Sequence, residues 1–167
     1  RGWDYPHISR RNGIINYSGY IENLTDWTQY KELWRMYKSG QFIHFFGCRE
    51  DWLRDQYAIF SSEGGGLEFL MTLFSFTEIY EFAARFSKDN FPEGLEIMIT
   101  LNNMRNRRLV TLDVGRFLSD DYRCREEKIE LKRIVNIDEF ISQRSNYAIE
   151  DLIQVFEIFN WKHVPER

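Results

Sequence analysis

The sequence predicts an α+β fold: a mainly antiparallel or mixed sheet with about three helices packed on one face. Three observations carry that expectation. Leu95, Ile97, Ile99 and Leu101 alternate with more polar residues, the period of a half-buried strand. Asn12-Gly13 lies between two apolar stretches, a short-range signal for a tight hairpin. Phe76, Ile79, Tyr80, Ala83 and Phe86 recur at helical spacing, as do Ile149, Leu152, Ile153, Phe156 and Phe159.

The 167 residues are enough for one domain with a real core, and no repeat, low-complexity tract or linker divides them. A 43% hydrophobic and 29% charged composition is that of a globular chain. Aromatics reach 17%, which points first to a well-packed core and second to a binding face. The net charge of −4 argues against a general nucleic-acid coat, though not against a local basic patch. No apolar run approaches the length of a membrane helix, and no signal peptide is visible. The chain opens at Arg1 in strand-like sequence, as expected of a piece of a longer protein. Two cysteines without metal-ligand spacing, Cys48 and Cys124, suit a reducing cytoplasmic setting.

In chain order, residues 3–8 and 14–21 read as a hairpin, with Pro6 confining the first strand to an edge. Residues 25–39 read as a helix. Asp26 and Gln29 resemble a capping box, Trp27, Tyr30, Trp34 and Tyr37 share a helical face, and Gly40 follows as a C-terminal stop. Residues 42–48 are apolar, aromatic and bounded by glycines. They are expected to form a strand buried on both faces, with Cys48 as a core thiol at its end.

Residues 49–55 read as a loop and 56–61 as a short strand. Gly64-Gly65-Gly66 reads as a turn; without a following Lys-Ser or Lys-Thr pair it lacks the phosphate-loop signature. Residues 67–74 look strand-like. Ser75 with Glu78 then opens a helix that Asn90 and Pro92 close near residue 88. The strand at 95–101 is expected to turn at 102–107 and pair with a returning strand at 108–114. Residues 119–127 form a polar loop and 128–135 a further strand. A short turn at 138–141 leads to a last helix capped by Asn146 and closed by Trp161.

The search for chemistry returns little that converges. His7, His44 and His163 are scattered, and no clustered metal ligands or nucleophile elbow occur. His44 inside an apolar strand is first a hydrogen-bonded structural histidine. Asp4 and His7 lie on opposite faces of a strand unless Pro6 bends it. His44 and Cys48 would share a strand face roughly 13 Å apart, too far for direct proton transfer. Asp120-Asp121 and Glu126-Glu127 read as solvated loop acids. The one weighted charge feature is basic: Arg105, Arg107 and Arg108 crowd the expected hairpin tip, and Arg10 with Arg11 mark the first. Such arginines suit phosphate contact, against the simpler reading of a solvated tip balanced by nearby acids.

The opening Arg1-Gly2-Trp3-Asp4-Tyr5-Pro6-His7-Ile8 resembles a widespread, poorly characterised prokaryotic module. The stretches Trp34-Arg35-Met36-Tyr37-Lys38-Ser39-Gly40-Gln41-Phe42, Thr77-Glu78-Ile79-Tyr80-Glu81-Phe82 and Phe156-Glu157-Ile158-Phe159-Asn160-Trp161 add to the resemblance, which spans nearly the whole chain. That module is sometimes found in proteins that also carry a Schlafen-type, AlbA-like DNA-binding or ATP-binding domain. The resemblance implies an intracellular accessory module in regulation or defence and assigns no catalytic residue.

The leading functional expectation is therefore a non-catalytic interaction or sensing module. It would contact other domains or protein partners, without cofactor, metal or membrane. The alternatives are nucleic-acid binding through Arg105, Arg107, Arg108, Arg10 and Arg11, and a nuclease or nucleotide hydrolase whose acids meet only in the fold.

Overall fold

The computed structural model describes residues 5–61, 63–88, 90–91, 93–113, 115–116 and 118–160. The class is α+β with mainly antiparallel sheets and two long helices, one fewer than expected. The chain divides into two compact units, Arg1–Leu53 and Arg54–Arg167.

The first unit is a four-stranded antiparallel sheet in the order β1-β2-β3-β4, with β1 Ile15–Asn16, β2 Tyr20–Trp27, β3 Tyr30–Tyr37 and β4 Phe42–Phe46. The helix expected at 25–39 is instead the β2–β3 hairpin, turning at Thr28 and Gln29. Trp27, Tyr30, Trp34 and Tyr37 fit a helical period, but Tyr30, Glu32, Trp34 and Met36 fit the strand period equally. Trp, Tyr and Thr are also poor helix formers that pack well on a pleated surface. Residues 5–8 form no strand, although the Asn12-Gly13 turn is present, with Gly13 at φ 64° and its amide bonded to Ser9 O at 2.8 Å. The first part of the expected strand, residues 3–4, lies outside the described residues.

β4 is not buried on both faces. It ends the sheet, and Phe45 is 63% exposed. An apolar run bounded by glycines fits an edge strand as well as a central one, because the run records composition and not the number of neighbours. Cys48 is only half-buried; the buried thiol is Cys124, raised above its ordinary pKa by burial. Trp52 packs its ring on Gly47, where a Cβ would fall 2.0 Å from the indole.

The second unit holds β5 Gly66–Glu68, α1 Phe69–Ser87, β6 Leu95–Asn102, β7 Arg108–Val110, β8 Lys128–Val135 and α2 Ile137–Ile158. Residues 58–60 are a short 3-10 turn where a strand was expected. α1 begins six residues before Ser75. Its cap is Glu68, whose Oε2 accepts from Met71 N at 2.7 Å and whose Oε1 accepts from Leu112 N at 3.1 Å. α2 is one helix capped by Asn136, with Asn146 inside it. Pro92 and Trp161 lie outside the described residues.

β6 pairs antiparallel with β8, and β7 pairs in parallel with β5. The expected 95–101/108–114 hairpin therefore does not form. Asn103 and Asn106, at φ 57° and 62°, turn the chain away from β6, and Met104 N bonds to Glu127 O instead. Gly64, at φ 84°, lets the 63–66 turn approach that segment: a Cβ there would lie 2.5 Å from the Asn106 carbonyl carbon. Phe76 and Tyr80 of α1 and Phe140, Leu152 and Phe156 of α2 close over Ile97, Ile99, Ile129 and Leu131 on the inner face of β6–β8.

Candidate functional site

Titratable side chains from different elements converge in the first unit. Alternation on β3 sets Tyr30, Glu32 and Trp34 on one face. Register places Thr25 of β2 and Phe46 of β4 beside Glu32, and Asn23 and His44 beside Trp34. Residues 5–13 lie over this face and are tied to it by side chains. Trp34 Nε1 donates to His7 O at 2.8 Å, Ser9 N to Asn23 Oδ1 at 2.9 Å, and Asn12 Nδ2 to Leu24 O at 2.7 Å.

Glu32 is the hub. Its side chain is fully buried, and its two oxygens are heavily used. Oε1 lies 2.6 Å from His44 Nε2 and accepts from His7 N at 3.2 Å; Oε2 accepts from Tyr30 Oη at 2.7 Å and lies 3.2 Å from His7 Nδ1. Tyr30 Oη lies 2.9 Å from His7 Nδ1, and Tyr5 Oη lies 2.9 Å from His44 Nδ1.

Donor counting fixes the protons. A carboxylate only accepts, so His44 Nε2 carries hydrogen; in the neutral imidazole His44 Nδ1 then accepts from Tyr5. Tyr30 gives its single proton to Glu32, so His7 must donate to Tyr30 from Nδ1. The chain of bonds is satisfied with Glu32 ionised. Burial alone would raise the Glu32 pKa. The bonds from His44 and Tyr30 outweigh it and hold the carboxyl below its usual range, and a proton on either imidazole adds to their effect.

What remains is His7 Nε2, for which no partner is found among the described residues, on a ring 37% exposed. A lone pair presented there, with Nδ1–H held toward a carboxylate, is the tautomer of a general base. No serine, threonine or cysteine bonds to His7 among the described residues, and no group of three or more His, Cys, Asp or Glu there is placed to hold a metal ion.

His44 and His7 were visible in the sequence, but Glu32, Tyr30 and Tyr5 were not. The signal that could have found them is a glutamate at the centre of an alternating Tyr-x-Glu-x-Trp run, hidden while the segment was read as helix. Asp4 and His163 lie outside the described residues.

The arginines separate. Arg107 is 3% exposed and donates from Nη1 to Gly66 O at 2.7 Å, a structural strut between β5 and the turn. Arg108 bonds to Asp120 and, at 3.3 Å, to Ile59 O. Arg105 is exposed but lies 3.4 Å from a Glu127 oxygen. Arg10 and Arg11 are exposed, and no ion pair is found for either among the described residues.

A second buried network lies in the other unit. Arg133 stands on the inner face of β8 opposite Ile97 and pairs with Asp151, which also accepts from Tyr80. Burial, then the bond to Asp151, drives the Tyr80 pKa upward; burial works to lower that of Arg133, and the bond to and charge of Asp151 overcome it and raise it. Comparison with protein-family models, with curated proteins and with solved structures finds no match for the chain.

Proposed function

We propose that the chain is a non-catalytic interaction or sensing module. The observation that carries this reading is how fully the Glu32 cluster is spent on itself. Both Glu32 oxygens and both His44 nitrogens are engaged, and the cluster's work is to hold residues 5–9 on the sheet. The same unit exposes Leu24, Trp27, Phe45 and Phe46, apolar surface with the character of a contact site. The resemblance of the opening residues to a prokaryotic accessory module supports the wider part of the reading, a role beside other domains in regulation or defence.

A second reading, an acid–base site for phosphoester or nucleotide hydrolysis, is favoured by His7 Nε2 alone. Nucleic-acid binding through the arginines is supported less, because Arg107 and Arg108 are committed within the second unit. That unit also carries the chain's excess of acids over bases.

The test is a turnover assay of the whole chain against nucleoside triphosphates, single-stranded DNA and RNA, and an aryl phosphate, run beside His7→Gln. The expected result is no turnover that depends on His7. Turnover abolished in His7→Gln would overturn the reading and install the acid–base site.

A further inference from the structure

The outer edge of β4 has a chemistry that the register fixes. Gly47 N bonds to Lys31 O at 3.1 Å and Tyr37 N to Gln41 O at 2.9 Å. Hydrogen-bonded pairs alternate with non-bonded ones along an antiparallel ladder, so Ile43 and Phe45 point their amides and carbonyls inward to β3. His44 and Phe46 must point theirs outward. No backbone bond to those outward groups is found among the described residues.

Three further features bear on what would lie there. His44 is pinned by Glu32 and Tyr5, so the edge is held in place before anything binds. Phe45 and Phe46, 63% and 40% exposed, stand on opposite faces of the strand, each ready to meet alternate side chains of a neighbour. Lys38 and Arg49, exposed just before and after the strand, have no carboxylate partner among the described residues. Rings on opposite faces make no flat platform for bases, whereas outward amides and carbonyls match another backbone.

We propose that the β4 edge takes up an extended peptide segment of a protein partner by strand addition, the segment being apolar at alternate positions and acidic at its ends. This inference rests on the interaction-module reading and names its surface. Main-chain bonds to His44 and Phe46 supply the register, Phe45 and Phe46 the apolar contact, and Lys38 and Arg49 the preference for acidic ends.

The experiment uses the whole chain and two synthetic peptides, alternating valine and threonine, one flanked by paired glutamates and one by paired lysines. Hydrogen exchange with the glutamate-flanked peptide should slow the His44 and Phe46 amides by about tenfold or more. Phe46→Pro, which deletes an outward amide that β3 does not use, should abolish binding while the thermal transition persists. The lysine-flanked peptide should bind at least about tenfold more weakly, and Lys38→Glu with Arg49→Glu should reverse that order.

Equal binding by Phe46→Pro, no protection at either amide, or no preference between the peptides would overturn the proposal. Protection of the same amides that grows with protein concentration, without peptide, would also overturn it, making a second copy of the chain the occupant. None of these results depends on turnover, so the edge can fail while the non-catalytic reading stands, and the reverse.

Discussion

His44 Nε2 lies 2.6 Å from Glu32 Oε1, on the diagonal between β4 and β3. This one bond joins the edge strand to the buried carboxylate that also holds the amide of His7. It is charge-assisted and shielded from solvent, so it is worth more than a surface pair.

Glu32→Gln should therefore destabilise the first unit. The amide keeps the size of the side chain but turns one acceptor into a donor facing Tyr30 or His44, both of which donate. A buried mismatch of this kind costs about 1–3 kcal/mol. Urea unfolding followed through the tryptophans of residues 27–52 measures it, and faster exchange of the His7 and Ser9 amides should accompany it.

The same carboxylate gives the acid response a sign. Its folded pKa lies below the ordinary value, so the stability it contributes is present above the unfolded-chain pKa and is lost as pH falls through the folded one. His7 and His44 face it from the covering segment and from β4, and their protonation favours the ionised carboxylate. The stability gap between wild type and Glu32→Gln should shrink as pH falls through that range. A gap constant with pH would show that the carboxylate is not charged in the fold.

The strands and helices with a single clean period were legible in the sequence. β6, β8 and the body of α1 stand where alternation and helical spacing placed them, because one face of each is buried against the core. The 25–39 segment was not legible, since its aromatics satisfy both periods and only pairing with β2 and β4 decides between them. The pairing of β6 with β8 was hidden for a related reason. Residues 95–101 and 108–114 are near in sequence, but Asn103 and Asn106 send the chain elsewhere, and a returning apolar stretch does not announce its partner. The Glu32 cluster needed the hairpin first, so an error in one element concealed the whole site.

Arg133 shares the inner face of β8 with Ile129 and Leu131 and pairs there with Asp151. Arg133→Ala should cost roughly 3–5 kcal/mol, because Asp151 is left buried without its cation. Arg133→Met combined with Asp151→Leu should recover much of that loss. Equilibrium urea unfolding of the three proteins separates the cost of breaking the pair from the net worth of having it.

Tyr80 predicts the alkaline limit of the second unit. Its folded pKa is raised, first by burial and then by Asp151, so the neutral hydroxyl contributes stability that is intact below the unfolded tyrosine value and lost as pH rises through the folded one. Tyr80→Phe should remove that alkaline dependence and cost about 1–3 kcal/mol at neutral pH through the lost bond to Asp151. The part of the phenolate absorbance that Tyr80→Phe lacks should appear together with the loss of helix content as pH rises, since Tyr80 cannot ionise without opening the core.

The arginines give the sharpest contrast between a surface reading and a structural one. Arg107→Ala leaves Gly66 O without its buried donor and should destabilise the second unit by about 1–3 kcal/mol. Arg105→Ala removes only an exposed pair with Glu127 and should leave the transition where it was. A phosphate-binding role would reverse the ranking: Arg105→Ala, with Arg10→Ala and Arg11→Ala, would weaken single-stranded DNA binding at low salt and flatten its salt dependence. The expected outcome is no salt-sensitive binding to weaken, with Arg107 alone showing an effect, and that effect appearing in the unfolding curve.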